Sequence, residues 1–139
     1  MVDTADSCRS TAGDLENGCP SELNADVRGR WRVNALFSQL VSLTVRAPVG
    51  SRIEIRCSGR RSACDFTKRV FDRTTRRLTG LTRLFKGRRI LPANVMIAVR
   101  VTRAQQTGVY ERLVTRTGRR LPRVTERCVT TTGVVGRCA

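Results

Sequence analysis

The sequence contains no histidine. Histidine is the usual general base near neutral pH, a common metal ligand and the partner that activates serine or cysteine nucleophiles. The carboxylates of the basic part of the chain are scattered among arginines, for which ion pairing is the simpler role; they are Glu54, Asp65, Asp72, Glu111 and Glu126. We therefore expect a protein that is not an enzyme, with no catalytic residues, no metal site and no cofactor.

Aromatic residues and long apolar runs are also scarce. Aromatic residues make up 4% of the chain, namely Trp31, Tyr110 and four phenylalanines, and a small core would use most of them. Proteins that read nucleic acid stack bases on aromatic side chains or place a recognition helix in a groove, and the sequence has neither pattern. A specific nucleic-acid partner is therefore not expected. No apolar run approaches the roughly 18–20 residues that a membrane helix needs, so we expect no membrane span.

Lysine is nearly absent, although the chain is strongly basic. The 139 residues include 27 basic and 11 acidic side chains, a formal charge of +16, and Lys68 and Lys86 are the only lysines. A codon bias toward G and C would produce this excess of arginine without functional selection. Guanidinium groups also bind carboxylate, phosphate and sulfate through paired hydrogen bonds, so the same arginines suit an anionic partner.

The charge divides the chain into two parts. Residues 1–26 carry six carboxylates against Arg9 alone, a net of −5, whereas residues 27–139 carry 26 basic and five acidic side chains, a net of +21. We predict an acidic irregular segment over 1–26, held by one disulfide, and a basic domain over 27–139. The carboxylates of 1–26 could ligate calcium, but their spacing does not fit an EF-hand loop, which favours a solvated linker over a metal site.

Six cysteines in a chain of this size favour structural disulfides over buried thiols or a thiolate metal site. Pairing nearest neighbours predicts three bridges, among 15 possible connectivities: Cys8 with Cys19, Cys57 with Cys64, and Cys128 with Cys138. Disulfides persist in oxidising compartments, so we expect a secreted or cell-surface protein. The first residues lack the features of a signal peptide, so either a leader was trimmed or the chain is a piece of a longer exported protein.

Short alternating runs of apolar and polar residues dominate the sequence after Arg28, and no stretch of 10–12 residues has a helical period. The alternation predicts strands near residues 28–33, 41–45, 53–57, 66–71, 95–101, 109–117 and 124–129. Leu78, Leu81 and Leu84 fit either a strand with a turn or a short helix. Seven or eight short strands spaced about 10 residues apart predict an all-β antiparallel sandwich of the immunoglobulin or fibronectin kind, after an irregular N-terminal segment.

Three Gly-Arg-Arg tripeptides stand where loops are predicted. Glycine suits a turn, and the arginines that follow it project into solvent, where a clustered set could bind an anion. These candidate anion-binding residues are Arg60, Arg61, Arg88, Arg89, Arg119 and Arg120. The alternative is that they are charged loop tips in an arginine-biased chain. The arginines within the strands are expected to face water with their stems over the sheet, as a device for solubility.

Several segments carry a resemblance to a known group of proteins. The strand Ser51–Cys57 is followed by a loop of glycine and arginine, then Cys64 and an aromatic residue. Downstream lie LFKGRRILP at 84–92, the strand at 95–102, TGVY at 107–110 and Arg127-Cys128. Over about residues 27–129 these features resemble a group of exported actinobacterial β-domains. The resemblance implies an exported β-sandwich, and it implies no enzymatic or binding activity.

In that group such domains often follow a calcium-type repeat that is rich in aspartate and contains cysteine. The run Asp14-Leu15-Glu16-Asn17-Gly18-Cys19 looks like a degenerate end of one, although the regular Asp-x-Asp-x-Asp ladder is missing.

From these observations we expect a non-enzymatic structural or adhesive module that is secreted or held at the cell surface. It would contact an anionic wall polymer or assemble with its own copies into a surface filament. The alternative is a polyanion-binding module that takes nucleic acid or acidic polysaccharide through its arginine-rich loops.

Overall fold

The computed structural model describes residues 21–59, 64–85 and 89–138, and these residues form two β-sheets packed face to face. Eleven strands follow in chain order: β1 (Ser21–Glu22), β2 (Asp26–Val33), β3 (Ser38–Arg46), β4 (Arg52–Ser58), β5 (Lys68–Phe71), β6 (Leu78–Gly80), β7 (Ile90–Leu91), β8 (Met96–Thr102), β9 (Gln106–Val114), β10 (Arg123–Val129) and β11 (Val135–Gly136). One 3-10 helix, Thr82–Phe85, lies between β6 and β7. The predicted all-β antiparallel sandwich is confirmed.

The larger sheet has the strand order β11-β10-β9-β8-β4-β5, and β1 joins it beside the start of β9. All neighbours in this sheet pair antiparallel except β1, which runs parallel to β9. In the middle of the sheet Ile55, Val99 and Glu111 lie directly opposite one another on adjacent strands. Since side chains alternate between faces, these three share the face that the smaller sheet covers.

The smaller sheet is narrower, with β2 at one edge, β3 in the middle, and β6 and β7 both paired with β3. A β-bulge interrupts the pairing of β2 with β3, because Arg30 pairs with Ser42 while Trp31 pairs with Leu40. The bulged residue is Val41, which the alternating pattern had placed with Leu43 on the buried face. The bulge resets the alternation, so Leu40 is fully buried and Val41 is only half-buried.

Aliphatic side chains from both sheets form one core. Leu40, Leu43 and Val45 of the smaller sheet pack with Ile53, Ile55, Ile97, Val99 and Val101 of the larger sheet, and all are fully buried. Phe66 and Phe85 meet edge to face at 5.2 Å and close this core beside Cys57. The outer faces of the strands hold most of the charged residues, as the alternating pattern predicts.

All seven strands predicted from alternation are present. The leucine triplet turns out to combine both alternatives, because Leu78 begins strand β6 and Leu84 lies in the 3-10 helix. The structure also gives residues 21–26 a place in the sandwich: β1 pairs with β9, and Leu23 is 4% exposed within the core. The folded unit therefore begins before residue 27.

Two disulfides brace the larger sheet. Cys57 is bonded to Cys64 across the β4–β5 connection, and Cys128 is bonded to Cys138 around β11. Both are nearest-neighbour pairs. The predicted pair of Cys8 and Cys19, like the rest of residues 1–20, lies outside the described residues.

Candidate functional site

The two ends of the sandwich carry different loops. We call them the β2–β3 end and the β8–β9 end, after the connection that each contains. At the β2–β3 end, the backbone N–H of Thr115 donates to the carbonyl of Val95, the N–H of Val95 donates to Oγ1 of Thr115, and Gly59 sits against Val95. The backbone N–H of Arg119 donates to the carbonyl of Asn34 over 3.1 Å. The β4–β5, β7–β8 and β9–β10 connections therefore all begin at this end.

The described members of the predicted anion-binding set lie at the β2–β3 end but have different surroundings. Arg119 and Arg120 are exposed, and the Nε of Arg120 donates to the carbonyl of Thr117 over 3.0 Å. Arg89 is half-buried, and its Nε has no hydrogen-bond partner among the described residues. Arg60, Arg61 and Arg88 lie outside the described residues. The assignment of these six residues as an anion-binding site stays a prediction.

A second group of arginines converges at the β8–β9 end, around a cavity of about 400 Å³ that we call the arginine cleft. Among the described residues that line it, the basic ones are Arg52, Arg73, Arg100 and Arg103, and the acidic one is Asp72. The C-terminal loop Thr130–Gly133 forms another wall. The sequence analysis missed this site because its arginines come from two strands, β4 and β8, and from two connections, the one after β5 and the β8–β9 turn. These segments are spread over about 50 residues of the chain.

The strand register explains why these arginines meet. Arg52 begins β4 and pairs directly with Thr102 near the end of β8, so both lie on the outer face of the sheet. Arg100 is two residues from Thr102 on the same face of β8. The turn after β8 adds Arg103, and the chain after β5 adds Arg73. The cleft therefore joins one sheet face to the loops at its end.

Carboxylates neutralise only part of this charge. Arg52 lies 3.5 Å from Asp72 and 3.8 Å from Glu54, measured between guanidinium nitrogen and carboxylate oxygen. Arg100 donates to the carbonyl of Gly133 over 3.4 Å. Within the described part of the chain, no carboxylate lies within 4.0 Å of the guanidinium of Arg73, Arg100 or Arg103. The cleft is left with an excess of positive charge and unsaturated donors.

Glu54 is a buried carboxylate beside the cleft, close to Arg52. Its side chain is only 10% exposed, and its carboxylate lies 3.2 Å from Arg56 and 3.7 Å from Lys68. Burial on its own raises the pKa of Glu54, but the hydrogen bond from Arg56 and the surrounding positive charges outweigh it, so the pKa is lowered. Glu54 therefore stays ionised at neutral pH and offsets part of the positive charge of Arg52, Arg56 and Lys68 around it.

The cleft suits an extended anion with hydroxyl groups. Guanidinium groups donate paired hydrogen bonds to carboxylate, phosphate or sulfate. The wall of the cleft adds Thr130, Thr131 and Thr132, whose hydroxyls can donate or accept, while no aromatic side chain is among its lining residues. A ligand in this cleft would be held by charge and hydrogen bonds and not by stacking.

Comparison with known proteins gives no relative: no protein family, curated protein or solved structure matches this chain. Among the helices of the described residues, none is long and apolar enough to cross a membrane. Within residues 21–59, 64–85 and 89–138, no three His, Cys, Asp or Glu side chains are grouped so as to hold a metal ion.

Proposed function

We propose that this protein is a non-enzymatic adhesive module that holds an anionic glycan, such as an acidic wall polysaccharide, in the arginine cleft. The observation that carries the proposal is the convergence of four arginines on one concave surface. Among the described residues, three of these arginines have no carboxylate within 4.0 Å, although Arg100 lies opposite Glu54 on the adjacent strand. Arginines that served only for solubility would be dispersed over the surface or paired with acids.

The lining of the cleft favours a glycan over a nucleic acid. Proteins that bind single-stranded nucleic acid combine basic charge with aromatic side chains on which the bases stack. The arginine cleft offers guanidinium groups and threonine hydroxyls instead, and these match the acid and hydroxyl groups of an acidic sugar. The net charge of +16 would further attract any polyanion, in a manner that salt weakens.

Secretion or display at the cell surface is part of the proposal. The two disulfides among the described cysteines support it, because such bonds persist in oxidising compartments and are rare in the cytosol. An anionic wall polymer would be available in the same place.

Edge-to-edge assembly of copies has less support. Among the described strands, the edge strand β2 of the smaller sheet carries Arg28, Arg30 and Arg32, and β5, one of the two edge strands of the larger sheet, begins with Lys68-Arg69. Like charges on exposed edges oppose pairing with another copy. We therefore favour binding of an anionic polymer over assembly of copies into a filament.

The proposal is tested with a polygalacturonate oligosaccharide and two variants of equal charge. Arg73→Ser/Arg103→Ser removes from the cleft two cations that have no carboxylate within 4.0 Å among the described residues, while Arg119→Ser/Arg120→Ser removes two cations from the opposite end. Because each charge-assisted hydrogen bond contributes on the order of 1.5–3 kcal/mol, we expect the cleft variant to bind at least about tenfold more weakly. The control variant should change the affinity by less than about twofold, through the general field alone.

Isothermal calorimetry at physiological ionic strength measures both affinities. Equal losses in the two variants would mean that net charge alone attracts the polymer, and would overturn the proposal. A single-stranded oligonucleotide of matched charge is the second ligand. If it bound the wild type more tightly than the glycan does, the module would belong with nucleic-acid binders and the proposal would be wrong.

A further inference from the structure

The larger sheet is wider than the smaller one, and this leaves a groove beside the edge strand β2. The groove has a volume of about 730 Å³ and runs between β2 and the inner faces of β9 and β10. Leu121, just before β10, and Val124, within it, are 59% and 48% exposed because none of the described strands of the smaller sheet covers them. The groove is distinct from the arginine cleft and shares none of its lining residues.

Apolar side chains and the single tryptophan form the walls of this groove. The apolar residues are Val27, Leu113, Leu121, Pro122 and Val124. Trp31 is placed by Gly29, since a Cβ at that glycine would lie 2.9 Å from the indole Nε1. The indole ring therefore lies along β2 in a position that any other residue at 29 would obstruct.

Two carboxyl groups lie directly opposite each other beside the groove, and one of them, Glu111, lines it. Glu111 of β9 pairs directly with Glu126 of β10, so their side chains leave the same face of the sheet. Glu111 is 7% exposed and lines the groove. Among the described residues, none donates a hydrogen bond to its carboxyl group and no cation lies within 4.0 Å of it.

Like charges opposite each other on adjacent strands destabilise a sheet, and a neighbouring cation normally relieves them. Among the described residues, no basic side chain lies within 4.0 Å of the carboxylate of Glu111 or Glu126. The sequence analysis expected ion pairs for both residues. Within the described part of the chain neither has one, and the strand register places the two glutamates opposite each other.

The other charged groups around Glu111 do not supply the missing cation. Asp26 on β2 is a third carboxylate, and Arg28 is already bonded to it at 2.6 Å. Arg28 and Arg30 line the rim, but they alternate with the inward-facing residues of β2, so their side chains leave its outer face. The neighbours on β8 and β3, Val99, Ser42 and Thr44, carry no charge.

We propose that this groove binds a ligand with an alkylguanidinium group, the chemistry of an arginine side chain, with the cation between Glu111 and Glu126 and the alkyl stem against Trp31 and Val124. The planar guanidinium has five N–H donors and can bridge two carboxylates. A cation beside an indole ring gains further attraction from the ring face. The apolar walls would bury the stem, which a small inorganic cation lacks.

The state of Glu111 before binding gives the interaction a pH signature. Burial, followed by the charges of Glu126 and Asp26, raises the pKa of Glu111 to about 7. A guanidinium favours the ionised carboxylate, so binding releases a proton from Glu111 when the pH is below that value. Affinity should therefore rise by about tenfold between pH 6 and pH 8 and then level off.

The experiment titrates n-butylguanidinium into the full chain and follows Trp31, the only tryptophan, by fluorescence and by its indole N–H resonance. N-butylurea is the neutral probe of similar shape. We expect saturable binding of the cation, little response to the urea, and loss of at least about fivefold in affinity in both Glu111→Gln and Glu126→Gln. Asp72→Asn, which removes a carboxylate from the arginine cleft, is the control and should leave the affinity unchanged.

Three results would overturn the proposal. These are no saturable change at Trp31, an equal response to N-butylurea, or affinities of the two glutamine variants that match the wild type. Glutamine at either position keeps the shape of the side chain and removes a like charge, so both variants are expected to fold. A circular dichroism spectrum and melting curve verify this before titration.

Discussion

Two buried glutamates of the larger sheet show how register decides the behaviour of one residue type. Glu54 lies among Arg52, Arg56 and Lys68, and its pKa is lowered. Glu111 is shielded from solvent and faces Glu126, and its pKa is raised to about 7. Arginine stands close to each glutamate in the sequence, at 52 and 56 around Glu54 and at 112 after Glu111, so composition alone could not separate them.

The raised pKa of Glu111 makes stability depend on pH in a defined window. Because the folded state binds this proton more tightly than the unfolded chain, the contribution is fully present below pH 4.5 and is lost as pH rises through about 7. We expect the wild type to lose about 2–3 kcal/mol of unfolding free energy between these values. Glu111→Gln should flatten this part of the profile, measured by urea unfolding at several pH values.

Glu54 contributes with the opposite sign and in a different window. Its lowered pKa stabilises the folded state above the ordinary glutamate value, and this stability is lost as pH falls through the lowered pKa. The chain has no histidine, so the interval from pH 5 to 7 reports mainly on Glu111. A wild-type stability that rises through that interval would contradict the account of Glu111.

Gly29 is the residue that fixes the tryptophan of the groove. Gly29→Ala would place a Cβ 2.9 Å from Trp31 Nε1 and force the indole to move. We expect a shifted tryptophan emission maximum, weaker n-butylguanidinium binding and a loss of about 1 kcal/mol or more in stability. Gly80→Ala is the matched control, since no atom lies within 4 Å of a Cβ at that glycine. Equal effects of the two substitutions would show that Gly29 has no special contact.

At the scale of elements, alternation was enough to predict the seven main strands. It could not predict β1, β7 or β11, because two-residue strands are too short to show a period. It also could not locate the bulge at Val41, because a bulge depends on how β3 pairs with β2 and not on β3 alone. Alternation also could not decide between a strand and a helix for Leu78, Leu81 and Leu84, because β6 and the 3-10 helix that hold Leu78 and Leu84 are each too short to show a period.

The candidate sites escaped sequence reasoning more completely than the fold. The arginine cleft combines Arg52, Arg73, Arg100 and Arg103, whose separations along the chain say nothing about their proximity. The Gly-Arg-Arg tripeptides were visible as a motif, whereas single strand arginines were not distinguishable from a solvated face. Only the pairing of β4 with β8 brings Arg52 and Arg100 together.

The two disulfides close connections of similar length but differ in burial. Cys57 is 2% exposed within the core beside Phe66, whereas Cys128 is half-buried and Cys138 is exposed. Each disulfide is expected to add about 2–4 kcal/mol to the free energy of unfolding, because it restricts the conformations of the unfolded chain. Replacing Cys57 and Cys64 by alanine should cost more than replacing Cys128 and Cys138, because it also leaves a cavity in the core. Urea unfolding of the two double variants measures this, and the reverse order would contradict it.

At the scale of the whole molecule, basic residues lie on the outer faces of the strands and also at both ends of the sandwich. The β2–β3 end carries Arg119 and Arg120 on exposed loops, while the β8–β9 end holds the arginine cleft. The general field of such a chain would attract any polyanion to either end. What separates a binding module from a merely basic protein is therefore whether a bound anion selects one end.

The most direct test is a nuclear magnetic resonance titration of the isotope-labelled protein with the polygalacturonate oligosaccharide, which reads the backbone amides and arginine Nε–H groups residue by residue. We predict that the largest shifts fall on Arg73, Arg100, Arg103 and the loop Thr130–Gly133, and that they persist at physiological salt. Shifts centred on Arg119 and Arg120, or spread evenly over both ends and abolished by salt, would contradict the arginine cleft as the functional site.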